Sequence, residues 1–416
     1  MASHLRQRKD KCPKRVIKTI LIILLILAAI ATVVFFVLNK DSFIPERETM
    51  SVTIEETPAE YVEETIPESL PIIKVEQTES ESVSEPETEP VPEYKPEITL
   101  TFAGDILFDP NYAIMASMLQ RGGDITTSFD EGLMEIMTGS DLFMLNNEFP
   151  YSDRGEPLPE KQFTFRAKPE YVTKLLDIGV DIVGLANNHL NDHGQDAMLD
   201  TFDILDSAGI PYVGAGRNIE EANKPYYIEL EGVKIAFVAA TQIERLNNPD
   251  TVAATETSPG VFRCLDPTGF IDSIKEAKEN SDFVVAFVHW GTEGTEKTDW
   301  YQDEQAPLYA GAGADLIIGD HPHVLQKIDI VEGVPCIYSL GNYLFNSSSL
   351  DTCLVQATID TESKTLKSFR FIPAYQSGCK TKKLDGSEKE RVIRYMRSLS
   401  DSVEIDDEGY LYLSKS

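Results

Sequence analysis

The stretch Gly319-Asp320-His321-Pro322-His323-Val324 follows an apolar run, Ala314 to Ile318, that predicts a buried strand. Side chains two residues apart point the same way in extended backbone, and Pro322 favours extended geometry at His321. We therefore expect both imidazoles to leave the end of the strand on one side, as a pair of nitrogen ligands for a metal ion. For this motif alone, two solvated loop histidines are the alternative interpretation.

Several other apolar runs of the chain end in polar side chains. The run from Ile98 to Ala103, for example, is followed by Gly104-Asp105. One acid after one strand is weak evidence, because surface turns often contain aspartate and glycine. Open α/β sheets bind ligands at the carboxyl ends of their strands. Polar side chains that follow several apolar runs therefore indicate a shared site. The residues at these ends are Asp105, Glu148, Asn188, His189, His289, His321 and His323.

Strands and helices alternate through most of residues 96–374, which predicts an α/β domain. We expect a layered α/β/α sandwich with a mixed sheet. Residues 375–416 are expected to form a C-terminal extension that packs on this domain.

The predicted site combines carboxylate and amide oxygens with imidazoles, a ligand set that suits Mn²⁺, Fe or Zn²⁺. Two such ions about 3.5–4 Å apart would activate a water molecule and hold a phosphoryl or acyl oxygen. His189, beside Asn188, is the candidate general acid. Asp192 could assist it or could cap the helix predicted from Asp196 to Ala208. Glu293 is expected to orient His289 as a hydrogen-bond acceptor.

Composition limits the partners of the chain. Its 416 residues carry a formal net charge of -32, which argues against binding nucleic acid because a phosphate backbone would be repelled. A free polyanion is a difficult substrate unless metal ions neutralise it locally. The five cysteines show no Cys-x-x-Cys spacing, so we expect packed thiols, with one disulfide among the last four as the alternative.

The N-terminal residues predict a membrane anchor. A basic tail, residues 1–18, precedes an anchor segment, residues 19–38, whose uncharged run from Ile20 to Leu38 has the length of a transmembrane helix. The positive charges place the tail in the cytoplasm and the main domain outside the cell. A cleaved signal peptide is the competing interpretation, although no small-x-small cleavage site follows the run. Residues 39–95 are rich in Glu, Pro, Ser and Thr, which predicts a disordered stalk.

The ordered motifs resemble those of the CapA/PgsA family of capsule (poly-γ-glutamate) biosynthesis proteins, over about residues 98–345. The motifs are Gly104-Asp105, Asn147-Glu148, Asn187-Asn188-His189, His289-Trp290-Gly291, His321-Pro322-His323-Val324 and Ser339-Leu340-Gly341-Asn342. The resemblance implies a bacterial, membrane-anchored protein whose domain is similar to calcineurin-type metallophosphoesterases. It also implies membrane subunits of a polyglutamate synthase as partners, and an anionic polymer or phosphoester as substrate.

Carried over to this chain, the resemblance places a divalent metal, Mn²⁺ or Zn²⁺, on six residues and the catalytic acid on His189, with Asp192 beside it. The six are Asp105, Glu148, Asn188, His289, His321 and His323. Three positions depart from the calcineurin-type pattern. Leu107 stands where a histidine is usual, Glu148 replaces the bridging aspartate, and Asp320 occupies a position expected to be small or neutral. One metal ion, or a binding role without hydrolysis, is therefore the alternative to a two-metal enzyme.

Three functions are consistent with these observations. The first is an extracytoplasmic accessory subunit of polyglutamate capsule synthesis or export. The second is a metal-dependent hydrolase of a phosphoester or amide in the cell envelope. The third is a non-catalytic surface binding module whose polar turns only shape a pocket.

Overall fold

The computed structural model describes residues 94–244 and 251–413. The predicted tail, the predicted membrane helix and nearly all of the predicted stalk lie outside these residues. Within the two described ranges, no helix combines the length and the apolar character needed to cross a membrane.

The described residues form strands and helices that we number in chain order. The strands are β1 Glu97–Ile106, β2 Leu142–Asn147, β3 Ile182–Gly184, β4 Tyr212–Val213, β5 Ala215–Gly216, β6 Tyr226–Leu230, β7 Val233–Thr241, β8 Gly260–Val261, β9 Phe283–His289, β10 Leu316–Asp320, β11 Ile328–Val331, β12 Val334–Ile337, β13 Asn342–Leu344, β14 Leu350–Asp360, β15 Thr365–Ser377, β16 Lys380–Lys383, β17 Val403–Ile405 and β18 Leu411–Leu413. The α-helices are α1 Ala113–Gln120, α2 Glu131–Gly139, α3 Thr173–Asp177, α4 Gln195–Ala208, α5 Ile219–Ala222, α6 Thr268–Asn280, α7 Trp300–Ala312 and α8 Gly386–Leu399.

The first large sheet has the strand order β16-β15-β14-β1-β2-β3-β4, and β13 also pairs with β1. Strand β1 changes partners along its length. It runs antiparallel to β14 as far as Ala103, and from Asp105 onward it pairs with β13. The change occurs at Gly104, where the register with β2 also shifts. The carboxyl end of β1 therefore leaves its long antiparallel partner just where Asp105 begins the site.

The second large sheet has the strand order β11-β12-β10-β9-β7-β6. Its central strands β7, β9 and β10 are parallel neighbours, so their carboxyl ends lie side by side. Thr241 and Asp320 are the register partners of His289 on either side. This register brings the histidine that ends one strand next to the aspartate that ends another.

The two sheets pack face to face. Phe102 of the first sheet and Phe237 and Phe287 of the second belong to one buried apolar cluster. A second cluster joins the outer face of the first sheet to helices α1 to α4, and a third joins the second sheet to α6 and α7. The predicted α/β fold with mixed pairing is confirmed. The expected three layers are wrong, because the order is helix, sheet, sheet, helix.

The reason for this difference lies in the central strands of the second sheet. Strand β9 is buried along its whole length, and so is β10. A continuous apolar run indicates that both faces of a strand are covered, but it does not say whether helices or another sheet cover them.

The cysteines of the described residues are reduced. Cys264, Cys336, Cys353 and Cys379 are all buried and free, so the alternative of a disulfide among them is excluded. The residues after 374 contribute to the same structure, since β16 is the last strand of the first sheet and Ile393 of α8 lies in the cluster between the sheets.

We expect Gly104→Ala to destabilise the domain. A Cβ atom at Gly104 would lie 1.9 Å from the backbone oxygen of Gly341, which cannot move without shifting β13. The expected loss in the free energy of unfolding is about 1–3 kcal/mol or more, measured by urea denaturation. Gly139→Ala is the control, since its Cβ meets no atom within 4 Å. Equal stability of the two variants would contradict this account of the strand exchange.

Candidate metal centre

The carboxyl ends of the two sheets form one site. The first sheet contributes Asp105 from β1 and Glu148 just after β2, and the second contributes His289 from β9. All the residues predicted from the strand ends lie within this one site, together with Asp192 behind His189. Their roles as metal ligands and catalytic groups stay predictions.

Glu148 occupies the middle of the site. Its side chain is fully buried, and its Oε1 atom has no hydrogen-bond partner among the described residues. Three imidazole Nε2 atoms surround this oxygen, at 3.7 Å from His289, 3.8 Å from His189 and 4.0 Å from His323. Burying a carboxylate oxygen without a hydrogen-bond partner costs free energy. A positive charge placed at this point would offset that cost.

The backbone of the His321-Pro322-His323 turn differs from the prediction. His321 has φ +94° and His323 has φ +59°, so neither is extended. The two rings still come together, with centroids 5.8 Å apart, because the turn bends back on itself. Positive φ at a non-glycine residue is strained and tends to occur at functional sites, where surrounding contacts maintain it.

His289 is held at both ring nitrogens. Its Nδ1 lies 2.9 Å from Asp320 Oδ1, and its Nε2 lies 2.9 Å from Asn188 Oδ1 and 3.0 Å from His321 Nδ1. The expectation that Glu293 orients this ring is wrong, because Glu293 is exposed and Asp320 takes that position. A buried carboxylate at Nδ1 fixes the ring so that Nε2 points to the centre of the site.

Asp105 has two close partners. Its Oδ1 accepts a hydrogen bond from Asn146 Nδ2 at 2.8 Å, and its Oδ2 lies 2.8 Å from His323 Nδ1. Asn187 in turn donates to the Oδ1 atom of Asn146 at 3.1 Å. This amide network connects the ends of β1, β2 and β3 and fixes the direction of the Asp105 carboxylate.

Burial and mutual repulsion control the charges of the site. Burial, followed by the nearby charge of Asp105, raises the pKa values of Glu148 and Asp320 well above their usual range. Burial alone would raise the pKa of Asp105 and lower that of His323, but their contact outweighs it and shifts both pKa values in the opposite direction. Burial lowers the pKa of His289 to about 3, so this ring is neutral and can ligate a metal.

Three groups of side chains in the site could each hold a metal ion. They are Glu148 with His289 and His321, Asp105 with Glu148 and His323, and Asp105 with His289 and Asp320. Glu148 belongs to the first two groups, and Asn188 offers an amide oxygen beside His289. The residues fit a divalent cation, because such an ion would supply the positive charge that the buried Glu148 oxygen lacks.

A loop of residues 158–167, which we call the strap, is held against the site by contacts with Asp192. The Oδ1 atom of Asp192 accepts from Lys161 Nζ at 2.6 Å, and its Oδ2 accepts from the backbone N–H of Phe165 at 2.7 Å. The same Oδ2 lies 2.7 Å from His189 Nδ1. The interpretation of Asp192 as a helix cap is wrong, because Gly194 holds the N-cap position of α4. Asp192 instead fixes the orientation of the His189 ring.

Two phenylalanines form an aromatic wall against the histidines that lie nearest the surface. The Phe165 ring lies against His189 with centroids 4.3 Å apart, and the Phe345 ring stacks on His323 at 4.7 Å. The two phenylalanines also meet edge to face at 5.4 Å. These contacts restrict both imidazoles to orientations in which Nε2 faces Glu148.

Sequence reasoning missed the roles of five of these residues. Asp320 departs from the family pattern, although its place at the end of a buried strand beside His289 is a usable signal. Lys161 and Phe165 lie in an irregular loop, Phe345 lies just after β13, and Asn146 lies within β2, so no motif or period marks any of them.

Comparison with known proteins agrees with the motifs. The model of a family described as bacterial capsule synthesis protein PGA_cap matches residues 99–347, which is more than half of the chain. The chain belongs to this family. The resemblance expected from the ordered motifs is thereby confirmed, and every residue of the candidate centre lies inside the matched PGA_cap region.

Two relatives of this family are similar in sequence. The PGA biosynthesis protein CapA of Bacillus subtilis is 32% identical over 264 residues, covering 62% of this chain and 67% of the relative. The capsule biosynthesis protein CapA of Bacillus anthracis is 30% identical over 270 residues, covering 62% and 63%. The matched part of the chain thus spans roughly two thirds of the length of each relative.

Solved structures match at a lower level. A phosphatase from Mycoplasma pneumoniae has a TM-score of 0.42 and 13% identity, covering 68% of this chain and 95% of that chain. A 5'-nucleotidase from Candida albicans has a TM-score of 0.35 and 11% identity, covering 64% and 53%. Likeness at this level carries no conclusion about the activity of the PGA_cap chain.

We expect Lys161→Met to destabilise the protein, because it leaves the carboxylate of Asp192 buried without its cation. Removing one partner of a buried ion pair costs about 3–5 kcal/mol in the free energy of unfolding, measurable by urea denaturation. Lys168→Met is the matched control. Lys168 is half exposed and lies 3.8 Å from Glu170, so its loss should cost less than about 1 kcal/mol. Similar losses in the two variants would argue against a structural role of the strap.

The affinity for a divalent ion should rise with pH. The raised pKa values of Glu148 and Asp320 mean that these carboxyls retain protons to higher pH than surface acids do, and a metal ion must displace them. Affinity should change by up to about tenfold per pH unit for each displaced proton. Calorimetric titration of Mn²⁺ between about pH 6 and pH 8, in buffers of different ionisation enthalpy, counts the released protons. An affinity that does not change with pH would contradict the assignment.

Proposed function

We propose that this protein is a metal-binding, extracytoplasmic accessory protein of capsule polymer synthesis or export, acting on poly-γ-glutamate. The single observation that carries the metal-binding part is the Glu148 Oε1 atom, which is buried without a partner among three imidazoles. Membership of a bacterial capsule synthesis family supports the place of action. The basic tail and the uncharged run from Ile20 to Leu38 support a single-pass anchor with the main domain outside the cell.

The centre would hold one or two divalent ions, Mn²⁺ or Zn²⁺. One position would use Glu148, His289 and His321, with the amide oxygen of Asn188 beside them. The other would use Asp105 and His323, with Glu148 shared between the two. This set contains an acidic bridge and a neutral histidine, as ligands of a divalent ion require.

A specific observation favours a second candidate, metal-dependent hydrolysis of a phosphoester or amide in the cell envelope. When bound, the metal would lower the pKa of a water molecule and polarise the substrate oxygen. The Nδ1 atom of His189 is held by Asp192, so its Nε2 is the nitrogen that faces the centre, 3.8 Å from Glu148. The imidazolium form of His189, paired with Asp192 at Nδ1, would give its Nε2 proton to a leaving group, while the Phe165 ring covers one face of the imidazole.

The membrane setting defines the expected partners. A chain anchored by one helix acts within reach of the membrane, so the membrane subunits of a polyglutamate synthase are the proposed partners. The formal charge of -32 keeps nucleic acid out of this list.

Metal content and complementation test the proposal together. The full chain, purified in detergent and measured by elemental analysis after dialysis against Mn²⁺ or Zn²⁺, should hold one or two ions. Glu148→Gln should lose most of them, because it removes the shared carboxylate. In an encapsulated host that lacks the gene, the wild-type chain should restore surface polymer and Glu148→Gln should not. A metal-free wild-type chain, or unchanged polymer after gene deletion, would refute the proposal.

His189→Ala separates hydrolysis from metal binding. The variant should retain its metal and lose cleavage of a generic phosphodiester by about 100-fold or more, as expected for loss of a general acid. His193→Ala is the matched control, because this neighbouring buried histidine has no hydrogen-bond partner at Nδ1 among the described residues and is not one of the three imidazoles around Glu148. Equal activity of the two variants would exclude His189 as the acid.

A further inference from the structure

Residues 361–400 have a positive net charge, whereas the chain as a whole has a negative one. They contain ten of its 37 lysines and arginines but only four of its 69 acidic residues, a surplus of six positive charges in a chain of net charge -32. The segment supplies most of β15, all of β16 and all of α8. Among the described residues, this segment therefore attracts polyanions although the chain as a whole is acidic.

Within this region, Lys380 and Lys382 are two cations without an ion-pair partner among the described residues, as is the exposed Arg394 of α8. Both lysines are exposed on β16, the edge strand of the first sheet. Thr381 between them is buried and donates to the backbone oxygen of Tyr343, so the two lysines share the opposite face of the strand. In the part of the chain that the structure describes, neither ammonium group contacts a carboxylate.

A cleft of about 800 Å³ begins at Lys382, and Lys380 lines a neighbouring cleft that shares Lys382 and Tyr375 with it. Lys382, Tyr375 and Asp351 lie side by side across β16, β15 and β14, and form one wall. Arg391 and Tyr395 of α8 form the opposite wall. The cleft thus combines cationic groups with two phenol rings, which can pack on the methylene groups of a flexible chain.

The acidic side chains of the cleft are already engaged. Arg391 donates to both carboxylate oxygens of Asp351 at 2.7 Å and to Glu388 at 3.0 Å. Burial and a hydrogen bond to Glu296 raise the pKa of Tyr395, which places the Glu296 carboxylate against that phenol. The acids therefore organise the cleft, while Lys380 and Lys382 stay available to a ligand.

The cleft adjoins the metal centre. Val324 and Leu325 line it, and both directly follow His323 in the chain. A ligand that lies in the cleft would reach the side of the centre where His323 lies. The His323 side chain is 20% exposed, compared with 7% for His189 and 1% for His289.

We propose that this cleft, with Lys382 in its wall and Lys380 next to it along β16, binds an extended polycarboxylate chain and leads it to the metal centre. The two lysines stand about 7 Å apart along the strand, so each can pair with a carboxylate of the same chain. The tyrosines pack on the methylene groups between the carboxylates. This inference rests on the proposed function for the identity of the polymer, but its charge requirement can be tested without the metal.

The test measures binding of fluorescent poly-γ-glutamate to the full chain in detergent, with EDTA and then with Mn²⁺. The double variant Lys380→Glu/Lys382→Glu should weaken binding about tenfold or more, and added salt should weaken wild-type binding more than the residual binding of the variant. The uncharged double variant Lys380→Gln/Lys382→Gln should lie between them. Mn²⁺ affinity should be unchanged in both variants, which separates loss of the cleft from loss of the centre.

Lys224→Glu/Lys275→Glu is the matched control, since it changes the net charge equally at exposed lysines away from the cleft. An equal loss of affinity in this control would overturn the proposal in favour of non-specific charge. Absence of polymer binding by the wild type would overturn it too, as would equal binding of a neutral dextran with no dependence on salt. Polymer binding that persists in Glu148→Gln would support the cleft even if the metal function failed.

Discussion

Burial of three carboxylates beside four imidazoles is the constraint on which the rest of the site depends. Asp105, Glu148 and Asp320 are fully buried, and Asp105 contacts His323 while Asp320 contacts the neutral His289. Such a cluster is stable only when protons or cations neutralise it. The amide network, the partner change of β1 and the strained histidine turn all hold these groups in place. The fold therefore maintains an arrangement of side chains that could hold a divalent ion.

The contacts between the strap and Asp192 hold His189 in place in a similar way. The buried carboxylate of Asp192 contacts Lys161, a backbone N–H of the strap and His189 at the same time. An ion pair at this depth fixes geometry more than it adds stability, because desolvation offsets much of the attraction. The imidazole is thus held in one orientation by charge at Nδ1 and by an aromatic face at its side. The proposed general acid is thus oriented before any substrate arrives, which would spare reorganisation during reaction.

Much of the fold and site was predictable from the sequence because strand ends are marked by local patterns. The runs that form β9 and β10 are apolar and lead into polar side chains, which indicated that His289 and His321 lie at the ends of strands. The second sheet was not predicted, since apolar runs do not identify the layer that covers them. Asp320 was misjudged because its partner, His289, is distant in sequence and adjacent only through the register of two strands.

The sequence by itself determined the family, the α/β class, the strand ends and the types of side chain that meet there. Each of these follows from local periodicity or from motifs in a fixed order. Only the tertiary structure decided that Glu148 lies unpaired among three imidazoles and that Lys161 neutralises Asp192. It also decided that the basic segment borders the site through Val324. These contacts join residues far apart in the chain, and no local pattern encodes the distances between them.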